Sequence, residues 1–208
     1  MKKKILKVLA LVACAVLLVV GSIAGTLAYM TSKTETVKNT FTVGNVAITL
    51  DELDVDEYGV AVENADPERV MANEYKLIPG HKYVKDPTIH VAEGSEVCYL
   101  FVEIANGIKN IEASGNTTIA KQLEDNNWVA LGNNIYYLAI AVDARDAAQD
   151  VAVFTTFTVA DDADWKKLTV TDGEVSEVVT VTAYAVQADG FADAVTAWNA
   201  TFGASTQG

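Results

Sequence analysis

Hydrophobic and polar residues alternate along much of the chain, and residues 41–50 show the pattern most clearly. Val46, Ile48 and Leu50 fall on one side of an extended chain, and the residues between them fall on the other. Successive side chains of a β-strand point to opposite faces, so a period of two predicts a strand with one buried face. We therefore expect residues 41–50 to form a half-buried strand.

Six further stretches are rich in valine, isoleucine, threonine, tyrosine and phenylalanine, which strands favour. They are residues 74–78, 88–91, 97–105, 135–142, 151–159 and 175–186. Glycine, asparagine and aspartate separate them, as expected for the turns between strands. A succession of strands without long helices predicts an all-β fold, an antiparallel β-sandwich rather than a parallel sheet.

Residues 117–127 carry apolar side chains at helical spacing instead. Ile119 and Leu123 are four residues apart and would share one face of a helix, and Asn116 precedes the segment as a candidate N-cap. The pattern predicts a short helix whose apolar face covers the core.

Residues 191–198 predict a second short helix, with Phe191, Val195 and Trp198 on one face. We expect both helices at the periphery, over the open ends of the sandwich. The chain has no proline-rich linker, no tandem repeat and no change of composition, so residues 41–208 are expected to form one domain.

Residues 1–28 have the pattern of an export signal. Four lysines come first, an apolar stretch follows at 8–24, and the small residues Thr26 and Ala28 precede Tyr29. This order predicts a signal helix that is removed by cleavage between Ala28 and Tyr29. The folded protein would then be secreted, or lie at the cell surface, and would touch the membrane only before cleavage.

Two other fates of this segment stay open. The apolar stretch approaches the ~20 residues that cross a bilayer, so an uncleaved membrane anchor also fits. Residues 11–14 spell a lipobox ending in Cys14, but the hydrophobic stretch continues beyond Cys14 instead of ending before it. That is the wrong order for lipoprotein processing, and Cys14 is better interpreted as a small apolar residue of the signal.

The charge of the chain excludes some partners. All 28 acidic residues lie beyond Ala28, whereas four of the 15 basic residues precede it, so the remaining 11 basic residues leave the exported part with a net charge of −17. Such a surface repels nucleic acid and anionic lipid. Cys98 is the only cysteine of this part, which excludes an intrachain disulfide, and its apolar neighbours predict a buried thiol within a strand.

The sequence offers no pattern for a catalytic centre. The chain has two histidines, His81 and His90, and lacks the His-Glu-x-x-His spacing of zinc proteases. His81 follows Pro79-Gly80, which predicts a solvated turn residue, and His90 alternates with apolar residues, which predicts a surface position. Gly-x-Ser-x-Gly and phosphate-binding glycine loops are also missing from the sequence, so we expect no enzyme activity and no cofactor.

Acidic clusters make calcium the one ion to consider. Residues 51–59 carry five carboxylates after a predicted strand, and residues 161–164 carry three more. Oxygen ligands suit Ca²⁺, but a loop beginning at Asp54 has Ala65 where an EF-hand requires glutamate. We expect solvated acidic loops that hold no specific metal, with weak Ca²⁺ binding between like-charged subunits as the remaining option.

Four segments, spread from residue 25 to residue 191, resemble the TasA/camelysin (CalY) family of Gram-positive exported proteins. They are residues 25–32 (GTLAYMTS), 39–50 (NTFTVGNVAITL), 77–87 (LIPGHKYVKDP) and 180–191 (TVTAYAVQADGF). The family pattern often has an aromatic pair and an aspartate after the cleavage site, which this chain lacks. The resemblance implies a jelly-roll sandwich, export through a SipW-type signal peptidase and, as in TasA, self-association into extracellular biofilm matrix fibres.

In such fibres the N-terminal segment of one subunit completes a sheet of the next. Residues 29–40 would be this arm, and its β-branched residues are candidates for the donated strand: Thr31, Thr34, Thr36 and Val37. These side chains offer little hydrophobic bulk, so the arm would gain mainly by pairing its backbone with an exposed sheet edge. Cleavage after Ala28 would then release the arm for assembly.

Two alternatives to a fibre subunit remain at this point. Camelysin has been described as a surface metalloprotease, so the same resemblance also implies a secreted or surface protease. A membrane-anchored adhesion module that does not polymerise is the other alternative.

Overall fold

The computed structural model describes residues 31–33, 41–43, 45–62, 68–164, 169–171, 174–176 and 179–203. Strands β1 to β16 are, in chain order, Thr31–Lys33, Phe41–Val43, Ile48–Leu53, Arg69–Val70, Glu74–Lys76, Lys82–Val84, Thr88–Val91, Ser95–Asn106, Trp128–Gly132, Ile135–Leu138, Val142–Ala144, Gln149–Ala152, Thr156–Thr158, Thr169–Thr171, Glu174–Ser176 and Val179–Gln187. The helices are α1 (Ile119–Asp125) and α2 (Ala194–Thr201). The described part is therefore mostly β with two short helices, as the sequence predicts.

Two sheets contain most of the strands. The larger has the order β2-β16-β8-β10-β9, with β11 also paired to β8, and the smaller has the order β12-β7-β3-β4. The strand pairs β1–β5, β6–β13 and β14–β15 lie outside these two sheets. Among the described pairings only β2–β16 is parallel, so the predicted antiparallel arrangement is confirmed for the sheets as a whole.

The buried faces of the two sheets share one hydrophobic core. Leu50 and Ile89 contribute to it from the smaller sheet, and Val102 and Val181 from the larger. Burial alternates along β3 and the residues just before it, where Val46, Ile48 and Leu50 are inside as predicted. A period of two in the sequence thus corresponds to a real inner face.

The predicted strand bounds are wrong where the chain bends, and at two of the three places it also changes sheets. Residues 41–50 form two strands, since β2 pairs with β16 in the larger sheet and β3 with β7 in the smaller. The predicted strand 151–159 divides in the same way, into β12 of the smaller sheet and β13, which pairs with β6. The predicted strand 135–142 also divides, into β10 and β11, but both of these pair with β8 in the larger sheet. Alternation continues across such bends, so periodicity alone does not locate them.

Helix α1 buries Ile119 and Leu123, as predicted. Its N-cap is Thr118, not Asn116, because the Thr118 hydroxyl accepts a hydrogen bond from the backbone N–H of Lys121 at 3.2 Å. The side chain of Glu112 accepts a second bond, from the N–H of Ile119 at 2.9 Å. The N-cap of α1 therefore lies two residues after the predicted candidate.

Helix α2 begins at Ala194, after its N-cap Asp193, so the predicted start at residue 191 is wrong. The Asp193 carboxylate accepts the Thr196 N–H at 2.7 Å, and this bond fixes the start of the helix. The buried residues of α2 are Ala194 and Ala197, whereas Val195 is only half-buried. Neither α1, with seven residues, nor α2, with eight, qualifies as a membrane span, and the described residues contain no other candidate. The predicted signal helix lies outside the described residues.

Candidate functional site

The predicted arm is described only in part. The signal-peptidase residues Thr26, Ala28 and Tyr29 lie outside the described residues, and so do Thr34, Thr36 and Val37. Thr31 is the first residue of strand β1. The candidate site is therefore built around β1 and the strand that binds it.

Strand β1 pairs antiparallel with β5. The register places Thr31 opposite Lys76, Ser32 opposite Tyr75 and Lys33 opposite Glu74. The two strands form a sheet of their own, separate from both larger sheets. The arm thus contacts the body through a three-residue ladder, which depends on backbone hydrogen bonds rather than on sequence.

Contacts of the buried Tyr75 and a backbone hydrogen bond of Lys76 fix the position of the receiving strand β5. The Tyr75 side chain is 2% exposed, and its hydroxyl donates to the Val84 carbonyl at 2.9 Å. Its ring packs edge-on against Tyr83 and Phe157, with centroids 5.7 and 5.4 Å away. At the end of β5, the Lys76 N–H donates to the Glu57 carbonyl at 2.8 Å. An edge fixed in this way presents its backbone groups in a set position.

A buried ion pair lies beneath the same strand. The Lys85 ammonium is 2.6 Å from the Glu52 carboxylate, and the two side chains are 2% and 0% exposed. Asn73 donates to the other oxygen of Glu52 at 2.9 Å and accepts from the Val55 N–H at 3.0 Å. Burial, reinforced by the negative charge of Glu52, raises the pKa of Tyr75, so the phenol stays a proton donor.

A second charge network lies on the exposed face of the smaller sheet. His90 is 2.9 Å from Asp51 and 2.7 Å from Asp150, and Arg69 pairs with both Asp51 and Asp86. Burial alone lowers the pKa of His90, but hydrogen bonds and attraction to the two carboxylates outweigh it and raise the pKa. His90 points away from the core as predicted, although it is clamped between carboxylates.

We expect a His90→Gln variant to be destabilised most at low pH. A raised folded-state pKa means that protonated His90 stabilises the fold below the unfolded-state pKa of about 6.5, and that this contribution is lost as the pH rises through the folded-state value. Urea unfolding should show a loss of roughly 1 kcal/mol at pH 5, the scale of a partly exposed charged hydrogen bond, and almost none at pH 9.

A His81→Gln variant is the matched control, because His81 contacts the Tyr58 carbonyl at 2.9 Å rather than a carboxylate. It should show a smaller difference between the two pH values. An equal loss for His90→Gln at pH 5 and pH 9 would contradict the role given to its charge.

One expectation about the polar residues is wrong, and another is met only in part. His81 follows the Pro79-Gly80 turn as predicted, but it is half-buried, and its ring packs on Tyr83 with centroids 4.6 Å apart. The acidic segment 51–59 is not one solvated loop, because strand β3 extends to Leu53 and buries Glu52 completely. Asp56 is exposed, but its carboxylate accepts the backbone N–H groups of the following turn. The carboxylates of this segment therefore bind different partners within the fold.

The described histidine, cysteine and acidic side chains are the groups that a metal or thiol site would use. No three histidine, cysteine, aspartate or glutamate side chains of the described residues are arranged to hold a metal ion. Cys98 is fully buried within β8, as predicted, and burial raises its pKa to about 11. Such a thiol is a packing group rather than a nucleophile at neutral pH.

Searches with protein-family models, with curated proteins and with solved structures found no significant match to this chain. The resemblance to the TasA/camelysin family therefore rests on the four sequence segments. For function, the site therefore offers an arm that pairs through its backbone, a receiving strand fixed by buried contacts, and charged groups around that strand.

Proposed function

We propose that this chain is an exported structural subunit of an extracellular matrix fibre, of the TasA/camelysin type, which assembles by donating its N-terminal arm. The proposal includes export by a SipW-type peptidase that cuts after Ala28, and a jelly-roll sandwich as the body. Two sheets that share one core support the sandwich. The observation that supports assembly through the arm is the short pairing of β1 with β5.

This pairing favours exchange between subunits. Each subunit has both the arm and its receiving strand, so the arm of a neighbour can form the same three-residue register that β1 forms within one chain. Exchange of an identical element is an inexpensive route to self-association, since the pairing that one chain gives up forms again between two chains. When donor and acceptor lie on different parts of the surface, the contact is head-to-tail and builds an open filament.

Exposed apolar side chains beside β5 add to this support. The segment between β3 and β4 displays Tyr58, Val60 and Val62 at 37%, 58% and 41% exposure. Its Glu57 carbonyl accepts the Lys76 N–H of β5, so these side chains border the receiving strand. If the body of the subunit that supplies the arm also covered these side chains, the burial of apolar surface would strengthen the assembly.

The charge of the subunit gives the proposed fibre an ionic requirement. Subunits of net charge −17 repel one another, and dissolved salt shortens the range of that repulsion to about 8 Å at physiological ionic strength. Divalent cations held weakly by the exposed acidic residues Asp161, Asp162 and Asp164 would reduce it further. We therefore propose non-specific cation dependence of assembly rather than a calcium site.

A proline in the arm tests the assembly directly. Ser32→Pro places proline opposite Tyr75, removes a backbone N–H and restricts the backbone, so fibres seen by electron microscopy should disappear. Thr36→Pro, further along the proposed arm, should act in the same direction. Ser32→Ala keeps the backbone donor and serves as the matched control, which should form fibres as the unchanged protein does.

Circular dichroism of the proline variants should match that of the unchanged protein, which separates lost assembly from lost folding. Undiminished fibres in both proline variants would refute arm donation. Cleavage of casein that stops on addition of a chelator would instead support the protease alternative. A protein that forms no fibres, cleaves nothing and retains Met1 by mass spectrometry would support the anchored adhesion module.

A further inference from the structure

A solvent-open groove of about 680 Å³ lies between helix α2 and the outer face of the larger sheet. Strands β8, β9, β10 and β16 supply one wall and the C-terminal half of α2 supplies the other. The groove takes no part in the pairing of β1 with β5. Its size suits a small ligand rather than a single water molecule.

Three aromatic rings form one end of the groove. Trp198 and Phe202 are four residues apart along α2 and so share a face, and Tyr184 meets both from β16. The ring centroids are 4.7 to 5.4 Å apart, and the ring planes are inclined to one another by 45°, 62° and 89°. The three rings pack on one another at an angle, and Trp198 also packs on Phe101 with centroids 5.0 Å apart. They therefore present ring edges and partly covered faces to the groove, whereas a flat platform for a sugar ring needs one accessible plane.

A carboxylate completes this end of the groove. The Tyr184 hydroxyl donates to the Glu103 carboxylate at 2.9 Å. Burial of Tyr184, together with this bond and the charge of Glu103, raises the pKa of the phenol to about 12, which keeps it a donor to Glu103. The Glu103 side chain is otherwise exposed, and its negative charge faces the aromatic cluster.

The end of helix α2 adds further negative potential. Phe202 is the C-cap of α2 and Gly203 also lines the groove, so the carbonyl end of the helix borders it. No basic side chain lies in the last turn of α2 to offset the partial negative charge there. No lysine, arginine or histidine lines the described walls of the groove.

From these features we infer that the groove binds a quaternary ammonium group. Aromatic rings, a carboxylate and a helix C-terminus all attract positive charge, and the three ring centroids are close enough together that one cation resting against the cluster would contact more than one ring. A quaternary ammonium has no N–H groups that need acceptors and is weakly hydrated. It therefore suits a site with three rings and one carboxylate better than a strongly hydrated lysine-type ammonium does.

Choline, its neutral isostere 3,3-dimethyl-1-butanol and ethanolamine are the probes. Titration into ¹⁵N-labelled protein should produce a saturable shift of the Trp198 indole signal, which a Trp198→Phe variant assigns. We expect choline to bind about 2–30-fold more tightly than the isostere, the range that a cation–π contact provides. Ethanolamine should bind more weakly than choline.

Glu103→Gln removes the charge of an exposed side chain without threatening the fold and should weaken choline binding severalfold. Glu93→Gln, in the turn between β7 and β8, is the matched control and should leave the affinity unchanged. Equal affinity for choline and the isostere would reduce the site to an apolar groove and overturn the inference. Equal affinity for ethanolamine, or no saturable shift with choline, would overturn it as well.

Discussion

A Lys85→Met variant is expected to lose about 3–5 kcal/mol of unfolding free energy, because it leaves the Glu52 carboxylate buried without its counter-ion. Glu52 is 0% exposed and Lys85 is 2% exposed, with 2.6 Å between ammonium and carboxylate. Methionine replaces the length and the apolar stem of lysine, so the loss measures the missing charge more than missing volume. Urea unfolding monitored by circular dichroism gives the value.

Two further variants make this result interpretable. Lys82→Met makes the same replacement at an exposed position of β6 and should change stability by less than about 0.5 kcal/mol. The double variant Glu52→Leu, Lys85→Met removes both charges and should recover most of the loss, since a buried pair contributes little beyond its apolar equivalent. If Lys85→Met were as stable as Lys82→Met, water or another group would already compensate the negative charge of the Glu52 carboxylate.

The inward direction of both charged side chains could be predicted from the sequence. Glu52 continues the inward series Val46, Ile48 and Leu50, and the same period of two predicts an inward side chain at residue 52. The acidic composition of residues 51–59 instead suggested a solvated loop. The periodicity of the strand was the better guide, because a paired charge can be buried where an unpaired one cannot.

Residue 85 follows the same rule. Tyr83, Lys85, Pro87 and Ile89 are all buried, and each is two residues from the next. The pattern could therefore place both charges on inner faces. It could not show that they meet, because the contact joins residues 33 positions apart through the packing of two segments.

The arm shows where prediction from sequence ends for a functional site. Threonine and valine content predicted a strand-forming arm at residues 29–40, and of these residues the structure describes Thr31–Lys33, which form β1. Its partner β5 has only three residues, of which Tyr75 alone is buried, so no periodicity identifies it as a receiving edge. Edge pairing depends on backbone groups, and the sequence records only side chains.

The helix caps show the same limit on a smaller scale. Asn116 and Thr118 are both good N-caps by residue type. Thr118 takes the role because Ile119 must lie where its backbone N–H meets Glu112, a residue seven positions earlier. Tertiary contacts thus choose between locally equivalent starts.

The second large effect is expected at Gly59, which lies over Tyr83 in the segment that borders β5. Its φ of +71° falls in the left-handed region that side chains disfavour. A Cβ atom at this position would lie 2.8 Å from the Tyr83 Cα and 2.9 Å from its Cβ. Tyr83 is fully buried and stacks on Phe157 with centroids 4.8 Å apart, so it has no room to retreat.

Gly59→Ala should therefore cost about 2–5 kcal/mol, from about 1–2 for the left-handed backbone and about 1–3 for the overpacking. Gly94→Ala is the matched control, since Gly94 has a φ of +83° but no atom within 4 Å of the point that an alanine methyl group would occupy. It should lose only the backbone part when both are measured by urea unfolding. Equal losses for the two variants would show that the segment over Tyr83 shifts to admit a methyl group, and that the receiving edge beside it is less rigid than its contacts indicate.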